Sequence, residues 1–136
     1  MKLKLSIGVE AQKHQGTNGG TYSLQEDKTN NKPYWIHQSG DMAIWWSTIE
    51  RWIVGVFEDL GSSKGGILGP SNNDSPPNQI INGWQYANIA NKEWVDTNDV
   101  HFEDWTFKQG KFLHLLCKLC ILEQSRNSIY IQSNVR

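Results

Sequence analysis

Cysteine is nearly missing from this chain: of 136 residues only Cys117 and Cys120 carry a thiol, and both lie close to the C-terminal end. No disulfide can staple what precedes them, so the stability of that part has to come from packing. Charge of one sign is missing too. With 13 basic and 14 acidic residues the formal net charge is −1, which gives no electrostatic reason to expect nucleic acid or an anionic membrane surface as a partner. Long apolar runs are absent. The longest, Phe112 to Leu122, is broken by His114 and Lys118 and is about half of the roughly 20 residues a bilayer crossing needs, so no membrane span is expected. The opening Met-Lys-Leu-Lys-Leu-Ser-Ile-Gly-Val-Glu lacks the unbroken apolar stretch of an export signal, and the expectation is an intracellular chain as it stands.

Tryptophan is what the chain has in excess. Six of its seven tryptophans lie between Trp35 and Trp94, in a stretch punctuated by glycine, asparagine and proline. Such a density of rings either closes the core of a small β domain or offers flat apolar faces to a ligand. Leu3, Leu5, Ile7 and Val9 alternate with Lys2, Lys4, Ser6 and Gly8, the period of a strand with one wet face. Gln15 to Gly20 reads as a loop, Thr21 to Gln25 as a second strand, and Glu26 to Lys32 as a polar connection.

Pro33 to Gln38 and Met42 to Ser47 flank Ser39-Gly40-Asp41 and predict a hairpin. A register symmetric about Gly40 sets Trp35 opposite Trp45, Tyr34 opposite Trp46 and Ile36 opposite Ile44, with aromatic pairs contributing up to about 1 kcal/mol each. Both faces of this hairpin are apolar, so one packs inward and the other is covered or used for binding. Trp52 to Phe57 is a further strand. Gly61 to Asn78, rich in glycine and holding Pro70, Pro76 and Pro77, reads as a long surface loop. Gly83 to Ala87 and Glu93 to Asp96 form a second aromatic hairpin, and Val100 to Phe102 supplies a closing strand. The fold class expected is mainly β, a small antiparallel sheet or barrel-like meander followed by a C-terminal amphipathic helix.

That helix follows from a change of character after Phe107. The final 30 residues carry 5 basic residues and 1 acidic one, against 8 and 13 before them, and hold half of the ten leucines. Phe112, Leu115, Leu116, Leu119 and Leu122 keep helical spacing, so Lys111 to Gln124 is expected as one helix, followed by an Ile129 to Ile131 strand candidate. Residues 1–107 are expected as a Trp-rich β module and 108–136 as an appendage whose apolar face offers a site of association.

The order Thr21-Tyr22-Ser23-Leu24-Gln25, Pro33-Tyr34-Trp35-Ile36, Ala43-Ile44-Trp45-Trp46, Trp52-Ile53-Val54-Gly55, Leu60-Gly61, Gly66-Ile67, Trp84-Gln85-Tyr86 and Trp94 resembles a small Trp/Gly-rich β module. Modules of that kind occur, often in several copies, in large multidomain proteins of animals and protists. The likeness covers Gly20 to Asp104 and implies a binding or spacer module, not an enzyme. The single copy and the Leu/Cys tail depart from the pattern.

Motifs that would carry chemistry are few. His114, Cys117 and Cys120 have the residue types of a zinc site, but a structural site needs a fourth ligand and the remaining histidines are unclustered; small apolar thiols on a packed helix face are the better reading. Glu58-Asp59 and the Asp96/Asp99 pair read as turn and strand-end residues. No phosphate loop, nucleophile elbow or metalloprotease motif is present. The expectation is therefore a non-catalytic binding or structural module without cofactor or metal, with a protein as partner. The alternative is carbohydrate binding on a platform of Trp35 and Trp45, with His37 and Asp41 supplying hydrogen bonds. A chain ending at Phe107 should keep its β signal and unfold cooperatively; loss of cooperativity on truncation would show that the tail belongs to the core.

Overall fold

A computed structural model describes residues 1–106, of which Met1–Trp105 form one compact unit. The elements are β1 (Lys2–Ile7), α1 (Val9–Gln15), β2 (Gly20–Thr29), β3 (Lys32–His37), β4 (Met42–Trp46), β5 (Trp52–Val56), β6 (Ile67–Leu68), β7 (Trp84–Asn88), β8 (Glu93–Thr97) and β9 (Val100–Asp104). All strands pair antiparallel in one sheet, in the order β8-β7-β6-β5-β4-β3-β2-β1-β9. The tail helix Lys111 to Gln124, the strand candidate at Ile129, and His114, Cys117 and Cys120 lie outside the described residues.

The two ends of that order are joined in the chain by Asn98 and Asp99 alone, a link that spans at most about 11 Å. The outermost strands are thus two halves of one bent strand. Its first half pairs with β7, Trp84 opposite Thr97, and its second with β1, Ile7 opposite Val100. The sheet curls into a nearly closed barrel as a result, because both rims meet in that strand. Asp99 makes the bend, accepting the Gly8 N–H at 2.8 Å through its carbonyl. Its side chain sits where a Cβ on Gly8 would be.

Alternation fills the interior. Leu3 and Leu5, Tyr22, Trp35, Met42 and Ile44, Trp52 and Val54, Ile67, Trp84 and Tyr86, Val100 and Phe102 form one buried cluster. A second cluster lies on the opposite face of the sheet: Tyr34, Ala43, Trp45, Ile53 and Leu68, over which residues 57–66 fold. Trp45 Nε1 donates to the Ser62 carbonyl at 2.8 Å, and Gly65 lies directly on Ile53 and the Val54 carbonyl. The second apolar face of the β3–β4 hairpin is therefore covered in large part by the chain's own loop.

Several sequence expectations change. The register between β3 and β4 is Trp35 opposite Ile44 and Ile36 opposite Ala43, one residue away from symmetry about Gly40. The Gly40 N–H donates to the His37 carbonyl at 2.8 Å, so four residues, 38–41, link the strands where three were expected. A one-residue slip turns every side chain to the other face. Trp35 points into the barrel and Trp45 out of it, Ile36 and Ile44 are on opposite faces, and Trp45 pairs with Ile53. The first strand stops at Ile7 and Val9 begins α1, whose first turn holds Glu10 and last turn Lys13 and His14, the favourable order for the helix dipole. Only Ala11 of this helix is buried.

The connection Glu26 to Lys32 is mostly strand: β2 runs to Thr29, with a bulge between Leu24 and Lys28. It turns on Asn30 and Asn31, both at positive φ (51° and 64°), as a two-residue hairpin loop of the primed type requires. The long loop from Gly61 is interrupted by β6, where Ile67 and Leu68 bridge β5 and β7. A buried apolar pair with ladder partners on both sides gains more than it loses to the flanking glycines.

Replacing Gly65 by Ala should lower stability by about 1–3 kcal/mol, since the new methyl meets backbone and a buried isoleucine. Gly40→Ala, at φ 86° with open space around it, should cost about 1–2 kcal/mol through backbone conformation alone. Urea midpoints rank the two; equal stability of Gly65→Ala and the parent would mean that residues 57–66 do not pack on Ile53.

Candidate functional site

The two ends of the barrel differ. At one, the segment after β1 plugs the opening: Ala11 is buried, Gln15 Nε2 donates to the Ala87 carbonyl at 2.9 Å, and Asn18 Nδ2 donates to Gln15 Oε1 at 2.8 Å. Tyr22 donates its hydroxyl to the Asn18 carbonyl, and burial pushes its phenol well above the usual tyrosine range. At the other end, residues 70–83 cross the mouth. Trp52 Nε1 donates to the Ser75 carbonyl at 2.7 Å and Trp84 Nε1 to the Ile80 carbonyl at 2.8 Å. Between this segment and the β2–β3 hairpin lies a depression of about 470 Å³.

Its floor is Trp35 and Trp52. The two rings meet edge to face, with centroids 5.8 Å apart and planes at 62°, and Trp46 packs on Trp52 in the same manner at 5.5 Å and 72°. Trp35 is 2% exposed and Trp52 1%, so neither offers an open face. The rim is apolar on one side, where Leu24 and Met1, 39% and 44% exposed, stand with Pro33 and Pro76. It is polar on the other, where Lys32 Nζ is 2.8 Å from Asp74 Oδ2. That hydrogen bond and charge hold the Asp74 carboxyl below its ordinary pKa. Asp104, Asn78 and Gln79 complete the lining.

Two polar atoms here stand out. Trp35 Nε1 and Asn78 Oδ1 are buried and have no hydrogen-bond partner among the described residues. A buried donor or acceptor left unpaired costs about 1–3 kcal/mol. The other two interior indoles with loop acceptors, Trp52 and Trp84, show how readily such a donor is satisfied in this fold.

Of the four side chains expected to form a site, only Trp35 lines the mouth. Trp45 is fully buried on the other face of the sheet with its N–H on Ser62, so the two indoles form no common platform. His37 is half-buried, edge-on to Tyr22 at 4.9 Å. Its Nδ1 accepts the Ser39 N–H at 3.0 Å, so the ring proton is on Nε2, which donates to the Gly19 carbonyl at 2.8 Å. Asp41 sits exposed in the turn, its N–H on Ser39 Oγ and its carbonyl accepting from Phe57. His37 and Asp41 thus serve the β3–β4 turn. No group of three or more His, Cys, Asp and Glu side chains among the described residues could hold a metal ion.

Lys32, Asp74 and Asn78 escaped the sequence reading because they meet across 42 or more residues of chain. The one local signal was the Asn/Pro-rich run from Pro70 to Asn78, which reads as exposed loop but crosses the mouth. No family model, no curated protein and no solved structure matches the chain.

Trp35→Phe and Trp52→Phe remove similar volume from neighbouring interior positions, but only the second strands an acceptor, the Ser75 carbonyl. Trp52→Phe is expected to be the more destabilising by about 1 kcal/mol in denaturant unfolding. Equal losses would show that the Trp35 N–H has a partner in solution.

Proposed function

We propose that the chain is a non-catalytic binding module that makes protein contacts through the open mouth of its barrel. The observation that supports this most is the rim. Met1 and Leu24, two of the large side chains left exposed, converge there on a concave depression of a size typical of ligand sites. Most of the rings among the described residues are spent on packing, so little of their aromatic surface is left for stacking on a ligand.

The carbohydrate alternative needs an open indole, and Trp94, 44% exposed on the outer face of β8, is the ring that favours it. The two readings separate in one experiment: the full chain is panned against a displayed random-peptide library and applied in parallel to a glycan array. Peptides retained by the parent and lost on Leu24→Asp are the expected result. Glycans retained by the parent and lost on Trp94→Ala would put the second reading in place of the first, and retention of neither class overturns both.

A further inference from the structure

The mouth restricts its occupant in three ways. Two ammonium groups, the Lys32 side chain and the Met1 α-amino group, share the lining with two carboxylates, Asp74 and Asp104, so the rim has no excess of positive charge to hold an anion. The two unpaired atoms, Trp35 Nε1 and Asn78 Oδ1, are one donor and one acceptor; an occupant has to bring the complementary acceptor and donor. The remaining wall, Met1, Leu24, Pro33 and Pro76, is apolar. A neutral amide carries an acceptor and a donor without charge, on separate atoms that can reach two separate partners, and an aliphatic side chain is what the wall accommodates. A sugar ring would require an open aromatic face, and Trp35 and Trp52 have theirs against each other and their neighbours.

We infer that the mouth takes one aliphatic side chain of a partner polypeptide together with the backbone amides that flank it. The side chain lies against Leu24 and the two prolines, a backbone carbonyl accepts from Trp35 Nε1, and a backbone N–H donates to Asn78 Oδ1. This rests on the reading of the chain as a protein-binding module and names the chemistry of its site. The Trp35 N–H is shielded from bulk water, so the carbonyl reaches it only as residues 73–79 shift outward. Such a shift breaks the exposed Lys32–Asp74 ion pair, which contributes little to holding the loop down, and also the bond from Trp52 Nε1 to the Ser75 carbonyl, a loss that the occupant's own hydrogen bonds have to offset. The comparable depression at the plugged end, of about 310 Å³, also has an unpaired amide oxygen, on Asn18. Its lining, however, is mostly polar or glycine, and only Met42 and Val56 offer an occupant apolar side-chain surface.

Proton–nitrogen correlation spectra of the full chain resolve the indole N–H signals, and N-acetyl-leucine methylamide is the probe. Its addition should move the Trp35 indole signal downfield and leave Trp45 in place. N-acetyl-glycine methylamide, which lacks the side chain, should bind about tenfold more weakly or worse. Leu24→Asp and Asn78→Ala, both at the surface of the mouth, should each weaken the leucine probe severalfold while the other indole signals keep their positions. A Trp35 signal that stays fixed, or that moves equally with methyl glucoside, overturns the inference. If displayed peptides still bind in that case, the module reading stands and only this chemistry is lost; if they do not, both fall together.

Discussion

Three indole N–H groups organise the irregular part of this chain. Residues 57–83 contain only two residues of strand, and without anchors they would be a long excursion that costs closure entropy and covers nothing. Trp45 fixes its first half to the outer face through Ser62; Trp52 and Trp84 fix its second half across the barrel mouth through Ser75 and Ile80. Each of these rings is at most 1% exposed, so its polar edge has to find an acceptor, and backbone carbonyls of the excursion are the acceptors within reach. The demand of a buried indole for a partner and the demand of a long loop for an anchor meet in the same bonds.

That arrangement also explains the glycines beside the rings. Gly55 and Gly65 approach each other under the Trp45 ring, and Gly69 lies between Trp84 and Trp52. A loop pulled close enough for its carbonyls to reach an indole edge leaves no room for Cβ atoms where it crosses the strands. Large and small residues here are one device: the ring fills volume and supplies the donor, and the glycine lets the backbone come within bonding distance. β6 forms at the place where the excursion passes between β5 and β7, and it completes the ladder around the barrel.

The sequence revealed most where the pattern is local. The two aromatic hairpins, a strand beginning at Trp52, and a final strand at Val100 to Phe102 all follow from alternation and turn residues. What it hid depended on loop parity or on distant partners. Symmetry about Gly40 and symmetry about the Ser39–Gly40 bond are equally consistent with the residues, yet they send Trp45 to opposite faces. The pair Asn30-Asn31 is a turn signal by its tolerance of positive φ, but the charged and exposed Glu26 to Lys28 beside it give the whole segment the composition of a polar connection. Val9 continues the alternation of β1; nothing nearby in sequence reveals that the ladder with β9 ends at Ile7 and Val100, with the Gly8 N–H on the Asp99 carbonyl. The mouth itself assembles Met1, β2, β3, β5, β9 and the Pro-rich segment, a combination that no spacing along the chain encodes.

Trp35 is the ring that breaks the rule the other interior indoles follow. It has the same burial and the same kind of neighbours as Trp52, yet the excursion passes over it without presenting a carbonyl. One account is that packing alone dictates this ring and the unpaired donor is tolerated; stability lost in that way is affordable in a barrel with this much buried aromatic surface. The position argues for more than tolerance. Trp35, which carries the unpaired donor, lines the mouth and not the plugged end, and Asn78, which carries a second unpaired atom, belongs to the same lining. Two unsatisfied groups of opposite polarity in one lining are a pair that a single group with both an acceptor and a donor would satisfy together, and that is the complementarity the proposed occupant has to meet.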